Sequence, residues 1–99
     1  MPLYDTVTNV LEKEIHIPTT GWTALRYGTS NAVSRKYLSV FNRSPRKIFI
    51  TTNSDADISH TRAIRAGGER IFPYSDKVTL YARSAVTGGS RVIVTEECG

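Results

Sequence analysis

Apolar and polar residues alternate with a period of two along most of this chain. In the segment 37–41, Leu38 and Val40 point to one side of an extended backbone, and the aromatic residues at its two ends point to the other. The polar segment 42–46 then contains asparagine and proline, which favour a turn, and the β-branched run 47–52 follows. The pattern predicts an antiparallel hairpin. Its predicted core residues are Leu38, Val40, Ile48 and Ile50.

The last third of the chain repeats this alternation. The segment 77–83 places Val78, Leu80 and Ala82 on one face, and the segment 91–95 is again apolar and β-branched. Two consecutive glycines at 88 and 89 lie between these segments and favour a turn. The sequence therefore predicts a second, C-terminal hairpin.

The N-terminal segment fits either of two elements. Val7, Val10, Leu11 and Ile15 would share one face of a helix, whereas Leu11, Lys13, Ile15 and Ile17 share one face of a strand. The β-branched content favours the strand. Further short strands are predicted at 22–25, 58–64 (an edge strand) and 69–72. With about seven short strands, the predicted fold is all-β, a small antiparallel β-sandwich or jelly-roll-like barrel.

The composition indicates one folded domain. The chain has 99 residues, of which 39% are hydrophobic, and no run approaches the roughly 18 apolar residues of a membrane span. The first five residues lack the pattern of a signal peptide, so we expect synthesis in the cytoplasm. We expect residues 1–23 to form an N-terminal arm or first strand and residues 24–99 the β-sandwich domain. Because so small a domain buries little surface, we also expect a homo-oligomer or a partner.

Basic residues are unevenly distributed. The formal net charge is +4, yet no acidic residue occurs between Glu14 and Asp55. Such a segment attracts acidic protein surfaces or phosphate, unless folding brings neutralising carboxylates next to it. The basic residues of this stretch are Arg26, Arg35, Lys36, Arg43, Arg46 and Lys47.

The candidate catalytic and metal-binding residues form no complete site. Asp55, Asp57 and His60 are metal-ligand types, but their spacing provides neither a full calcium loop nor four zinc ligands. His16 lies between two isoleucines and is typical of an outward-facing or hydrogen-bonded structural histidine rather than of an acid–base group. Cys98 has no disulfide partner, and we expect a frayed terminal thiol whose acidic neighbours raise its pKa. We therefore predict no catalytic residue, cofactor, metal, small-molecule substrate or membrane contact.

Nucleic-acid binding is the alternative from another functional class. Aromatic residues interleave with the basic stretch and would stack on bases if they were exposed. Residues of this kind also fill protein cores, and Phe41 and Phe49 fall where the predicted hairpin packs. The aromatic residues concerned are Trp22, Tyr27, Tyr37, Phe41 and Phe49.

About three quarters of the chain resembles a pattern met in small virion proteins of tailed bacteriophages. The matching segments are 35–44, 47–50, 66–69, 78–82 and 89–96. The resemblance implies a β-sandwich that decorates or cements a capsid, or joins a head fibre or tail to it. It further implies capsid or other virion proteins as partners and a location in the virion after synthesis in a bacterial host.

The predicted interface combines the N-terminal apolar residues with the basic stretch. The first 23 residues lie outside the matching segments, so we expect an arm that reaches a neighbouring subunit. The basic residues would face an acidic capsid surface. The predicted interface residues are Val7, Val10, Leu11, Arg35, Lys36, Arg43, Arg46 and Lys47. A third alternative is an accessory domain of an enzyme, without chemistry of its own.

Overall fold

The computed structural model describes residues 9–55, 62–85 and 87–99 of the chain. Within these ranges the chain forms eight antiparallel β-strands in two four-stranded sheets and no helix. The predicted all-β sandwich is confirmed, with eight strands rather than about seven. The strands are β1 (Asn9–Ile17), β2 (Thr23–Ala24), β3 (Arg35–Asn42), β4 (Ile48–Thr51), β5 (Arg62–Ile64), β6 (Glu69–Phe72), β7 (Tyr81–Ser84) and β8 (Ser90–Cys98).

The first sheet has the strand order β1-β8-β3-β6, and the second has the order β2-β7-β4-β5. Strand β8 pairs with β1 over nine positions and with β3 on its other side. Its residues alternate between buried and less buried, as expected for a strand with one face on the core. The core between the sheets contains Ile17, Leu25, Leu38, Val40, Ile48, Ile50, Ile64, Leu80, Ala82, Val92 and Val94.

The predicted hairpin over 37–52 is wrong, although its predicted core residues are all buried. Strand β3 pairs with β6 and β8 in the first sheet, whereas β4 pairs with β5 and β7 in the second. The turn at 43–47 therefore carries the chain across the sandwich instead of back along the same sheet. As a result, Leu38 and Val40 lie on the opposite side of the core from Ile48 and Ile50.

The predicted C-terminal hairpin is wrong for the same reason. Strand β7 lies in the second sheet, and β8 lies in the first. The chain crosses between them through Gly88 and Gly89, which have φ angles of 91° and 88°. The Ser84 and Ser90 hydroxyls lie 2.6 Å apart and join the two sides of this crossing.

The N-terminal segment is a strand within residues 9–17, in agreement with its β-branched content. Strand β1 lies at the edge of the first sheet, and Ile17 at its end is fully buried in the core. The short predicted strands at 22–25 and 69–72 correspond to β2 and β6. Strand β5 is an edge strand as predicted, while residues 58–61 of that prediction lie outside the described residues.

The direction of the strands gives the sandwich two distinct ends. Because β8 runs antiparallel to β1 and β3, the starts of β1 and β3 lie beside the end of β8. The loop 25–34 and the loop 73–80 also lie at this end. The opposite end carries the turns 18–22, 43–47, 65–68 and 85–89, apart from residue 86.

Candidate functional site

A buried ion pair holds the first end of the sandwich. The side chains of Arg35 and Glu96 are both fully buried, and their Nη1 and Oε2 atoms lie 2.8 Å apart. The Glu96 carboxylate also accepts hydrogen bonds from the backbone N–H groups of Tyr27 (2.6 Å) and Ala32 (3.0 Å). The loop 25–34 is thus folded around one buried carboxylate.

Arg35 anchors the second loop at this end. Its guanidinium donates to the carbonyl oxygens of Tyr74 (3.0 Å), Ser75 (2.9 Å) and Val78. The Asn31 amide donates to the Val78 carbonyl as well (3.3 Å), which joins the two loops directly. Buried charge-assisted networks of this kind are rigid when their donors and acceptors are satisfied.

The rigid loops display exposed apolar side chains, and we call this region the apolar end. The exposed fraction is 82% for Val33, 53% for Val10 and 44% for Tyr27. Glu97 lies in register with Val10 on one side and Tyr37 on the other. Burial raises the pKa of the Glu97 carboxyl group, and its Oε2 atom has no hydrogen-bond partner among the described residues. Exposed apolar side chains that form a patch are typical of protein-binding surfaces.

At the opposite end, Asn42 holds the turns 43–47 and 65–68 together. Its buried side-chain amide donates to the carbonyl oxygens of Arg46 (2.8 Å), Ile64 (3.1 Å) and Arg65 (3.1 Å). Its carbonyl oxygen accepts from the backbone N–H (3.0 Å) and the hydroxyl (2.6 Å) of Ser44. The side chain of Asn42, the last residue of β3, therefore fixes the turn 43–47 in position.

A cluster of charged side chains lies beside this turn. The carboxylate of Glu14 accepts hydrogen bonds from Arg43 Nη1 (2.7 Å) and Arg91 Nη1 (3.2 Å), one on each oxygen. These side chains line an open cleft of about 340 Å³ together with His16 and Gly89. A Cβ atom on Gly89 would lie 2.6 Å from His16 Cε1 and 2.7 Å from the Ile17 carbonyl oxygen, so the backbone comes this close to β1 only at a glycine.

Positive charge dominates this second end, which we call the basic end. Among the described residues, its exposed cations outnumber its exposed carboxylates by five to two. The field is therefore attractive for anions even after Glu14 has neutralised part of it. The cations are Arg43, Arg46, Lys47, Arg65 and Arg91, and the carboxylates are Glu14 and Glu69.

The structure separates the predicted interface residues into two groups. Val10, Leu11 and Lys36 belong to the apolar end, whereas Arg43, Arg46 and Lys47 belong to the basic end. Six residues of β3 lie between Lys36 and Arg43, so the two are seven steps apart, which at about 3.3 Å per residue is roughly 23 Å. This distance exceeds the Debye length of about 8 Å at physiological ionic strength, so the predicted stretch is not a single charged surface. Val7 lies outside the described residues.

Arg35 does not belong to any surface, contrary to its predicted interface role. A register shift in the pairing of β3 with β8 falls at Lys36, between Arg35 and Tyr37. Such a bulge reverses the alternation of side chains, and Arg35 turns inward where the plain pattern would place it outward. Its charge is neutralised by Glu96 inside the protein.

Cys98 is not frayed, contrary to the sequence-based expectation. It is the last residue of β8 and is only 4% exposed. Burial raises the pKa of its thiol, and the negative charge of Glu96 raises it further. The predicted raised pKa is therefore confirmed, with burial as the larger cause.

The remaining candidate residues are exposed or half-buried where the structure describes them. Of the Asp55, Asp57 and His60 grouping, only Asp55 lies in the described residues, where it is exposed. His16 is exposed, which matches the outward-facing placement of the prediction. Trp22, Tyr37, Phe41 and Phe49 are half-buried, and Tyr27 is exposed at the apolar end.

Sequence reasoning missed several residues that shape the two ends. Glu96 had a usable signal, because it shares a face of β8 with the apolar Val92 and Val94. Arg91 and Glu14 had none, because they meet only through the pairing of the first and last strands.

No helix in the described part of the chain is long and apolar enough to cross a membrane.

Comparison with known proteins informs the fold alone. No family model matches the chain, and no curated protein matches it. The chain is similar in structure to protein NMB1881 from Neisseria meningitidis, with a TM-score of 0.54 and 14% sequence identity. The similarity covers 98% of this chain and 88% of the Neisseria protein. The sandwich architecture is therefore shared with a solved structure, and any function has to be argued from the two ends.

Proposed function

We propose that the protein is a structural component of a tailed-bacteriophage virion, a capsid decoration or cement protein that binds adjoining capsid subunits. Attachment of a head fibre or tail is a close variant of this role. The proposal draws on the resemblance of the segments 35–44, 47–50, 66–69, 78–82 and 89–96 to small virion proteins. In this role the chain acts by binding, without cofactor chemistry.

One observation carries the proposal, namely that the two ends of the sandwich expose different chemistry. The apolar end presents Tyr27 and Val33 on a loop fixed by the Arg35–Glu96 pair, and Val10 near the start of strand β1. The basic end presents cations on turns fixed by Asn42. A protein that joins two neighbouring subunits needs two separate contact surfaces on a rigid body, and this arrangement provides them.

Symmetric repetition would make weak contacts sufficient. Each copy buries little surface at either end, but many copies bind to equivalent positions on a symmetric shell. When a copy holds one subunit, its second contact becomes an intramolecular event with a high effective concentration. A modest affinity at each end therefore gives durable attachment.

The first experiment is mass spectrometry of purified virions, with the copy number of the chain per particle. A cement or decoration protein is present in many copies, matched to the number of capsid subunits, and a fibre or tail adaptor in few. Absence of the chain from purified virions would overturn the proposal in both forms.

The second experiment measures binding to capsids stripped of accessory proteins. Val33→Asp places a charge in the most exposed apolar side chain of the apolar end, and we expect it to abolish binding without unfolding the domain. Ile71→Asp is the matched control, because Ile71 is 45% exposed but lies on edge strand β6, at the opposite edge of the first sheet from β1. Equal loss in both variants would show that the apolar end has no special role.

A further inference from the structure

We propose that the basic end is a receptor for an acidic segment of a partner protein, and that the cleft between Arg43 and Arg91 binds a carboxylate side chain of that segment. The inference rests on the proposed function in one respect, since the partner there is another virion protein.

The distribution of charge is the first argument. The exposed cations of the basic end include Arg46, Lys47 and Arg65 in addition to the two arginines of the cleft. At the apolar end the charges are mixed, with Asp76 next to Lys77. A field of one sign at one end of an elongated molecule orients an acidic partner before contact and accelerates its association.

The geometry around Glu14 is the second argument. Two guanidinium groups converge on one carboxylate and donate to separate oxygens, at 2.7 Å and 3.2 Å. The chain's own carboxylate thus marks where an incoming carboxylate would bind. Each guanidinium has five N–H donors and is suited to two-point recognition of carboxylates, so donors remain for a ligand. The side chains of Arg43 and Arg91 are 52% and 72% exposed, which leaves those donors accessible.

The shape of the cleft is the third argument. Its floor is held by the backbone hydrogen bond from the Arg43 N–H to the Arg91 carbonyl, at 2.9 Å. One wall is the Gly88–Gly89 segment, where a Cβ atom on Gly89 would lie 2.7 Å from the Ile17 carbonyl oxygen. The cleft is therefore preformed and has room for a side chain.

The placement of aromatic residues favours an acidic protein over a nucleic acid. Non-specific binding of single strands combines basic residues with exposed aromatic rings on which bases stack. Among the described residues, Trp22, Phe41 and Phe49 are half-buried, and the exposed Tyr27 lies at the apolar end. In the part of the chain that the structure describes, the basic end therefore has the cations of a nucleic-acid surface without an exposed phenylalanine, tyrosine or tryptophan ring.

The test is a fluorescence-anisotropy titration of the full chain with a labelled oligoglutamate peptide at low and at physiological salt. Arg43→Gln combined with Arg91→Gln should weaken binding about tenfold or more, the range seen when charge pairs are removed from an interface. The matched control is Lys36→Gln with Lys77→Gln, which removes the same charge at the apolar end and should change little. Circular dichroism confirms that all variants are folded.

Glu14→Gln gives a readout specific to the cleft. If Glu14 occupies the carboxylate position, its neutralisation frees both arginines, and peptide binding should become several-fold tighter than in the wild type. If Glu14 only holds the arginines in place, binding should weaken, and this result would overturn the inference. So would equal losses in the arginine and lysine double variants, because net charge alone would then explain binding.

Further outcomes distinguish the acidic-partner receptor from nucleic-acid binding and from the proposed function. Tighter binding of single-stranded oligothymidylate than of the peptide, through the same arginines, would replace the acidic partner with a nucleic acid. Peptide binding as expected, with the chain absent from purified virions, would overturn the proposed function and leave the receptor intact. Presence in virions without peptide binding would overturn the receptor alone.

Discussion

Neutralising Glu96 should destabilise the protein more than neutralising any exposed carboxylate. In Glu96→Gln, the amide retains the size of the carboxylate, but one of its oxygens becomes an NH₂ group that accepts no hydrogen bond. In the wild type this carboxylate accepts three hydrogen bonds, from Arg35, Tyr27 and Ala32. The substitution therefore removes at least one of these bonds and leaves the Arg35 charge without its counter-ion.

The expected loss follows from complete burial of the pair. Both side chains have no exposed surface, and removing one partner of a buried ion pair costs about 3–5 kcal/mol of unfolding free energy. Domains of this kind have total stabilities of about 5–15 kcal/mol, so the variant should lose a large part of its stability. The hydrogen bonds to the backbone of the loop 25–34 are included in this range rather than added to it.

Urea unfolding followed by the fluorescence of Trp22 measures this loss, with an unchanged m-value as the check on two-state behaviour. Glu14→Gln is the control: its carboxylate also binds arginine, but at the surface, where an ion pair is worth about 0–1 kcal/mol. A loss within about 0.5 kcal/mol of the wild type for Glu96→Gln is typical of a surface position and would refute the buried pair.

A double variant separates the ion pair from the loops. Arg35→Met with Glu96→Leu removes both charges together, a change that is often neutral or stabilising when a buried pair serves no other purpose. Here the carbonyl groups of Tyr74, Ser75 and Val78 would lose their donor. We therefore expect the double variant to be no more stable than Glu96→Gln, and recovery of wild-type stability would contradict this anchoring role.

Three other outcomes are expected. Gly89→Ala should lower the free energy of unfolding by about 1–3 kcal/mol, because of the positive φ and the clash with the adjacent strand. The loss should exceed that of Gly21→Ala, where the φ is +71° but nothing lies within 4 Å of the added Cβ. Equal thermal midpoints of the two variants would contradict the close approach at Gly89. Ile50→Ala should cost about 2–5 kcal/mol as a core truncation, whereas the same change at the 45% exposed Ile71 should cost little in urea unfolding. Iodoacetamide should alkylate Cys98 far more slowly in the folded protein than in urea, since burial raises the pKa of its thiol and blocks access; equal rates would show that the end of β8 is open.

The alternation of residues identified which side chains of each strand face the core, but not which strands pair with each other. Leu38, Val40, Ile48 and Ile50 are all buried as predicted, because a period of two depends only on which side of the strand the core lies. Strand pairing depends on the direction of the turn. Asn42 was correctly interpreted as a turn residue, but its bonds to the distant Ile64 and Arg65 carbonyls send the chain to the other sheet.

The surface was harder to predict than the core. The inward turn of Arg35 depends on the bulge at Lys36, which has no marker in the local sequence. The convergence of Glu14, Arg43 and Arg91 depends on three strands that are distant along the chain. Composition predicted an excess of positive charge, and only the topology shows that it gathers at one end.

The position of β8 determines when the first sheet can form. The strand lies between β1 and β3, yet it is the last of the eight along the chain. During synthesis, the nine residues of β1 are made before the other strands. Both edges of β1 stay unpaired until β8 has been made. Non-local pairing of this kind slows folding to the range of milliseconds to seconds, and in the meantime β1 is an open template for aggregation. The alternating charges of Glu12, Lys13 and Glu14 then act as gatekeepers. When two β1 strands pair antiparallel with their apolar residues on the same face, Lys13 opposes another Lys13 or an uncharged residue, and the central register opposes Lys13 to Lys13 and Glu12 to Glu14. Nascent chains are thereby discouraged from pairing with one another before their own last strand arrives.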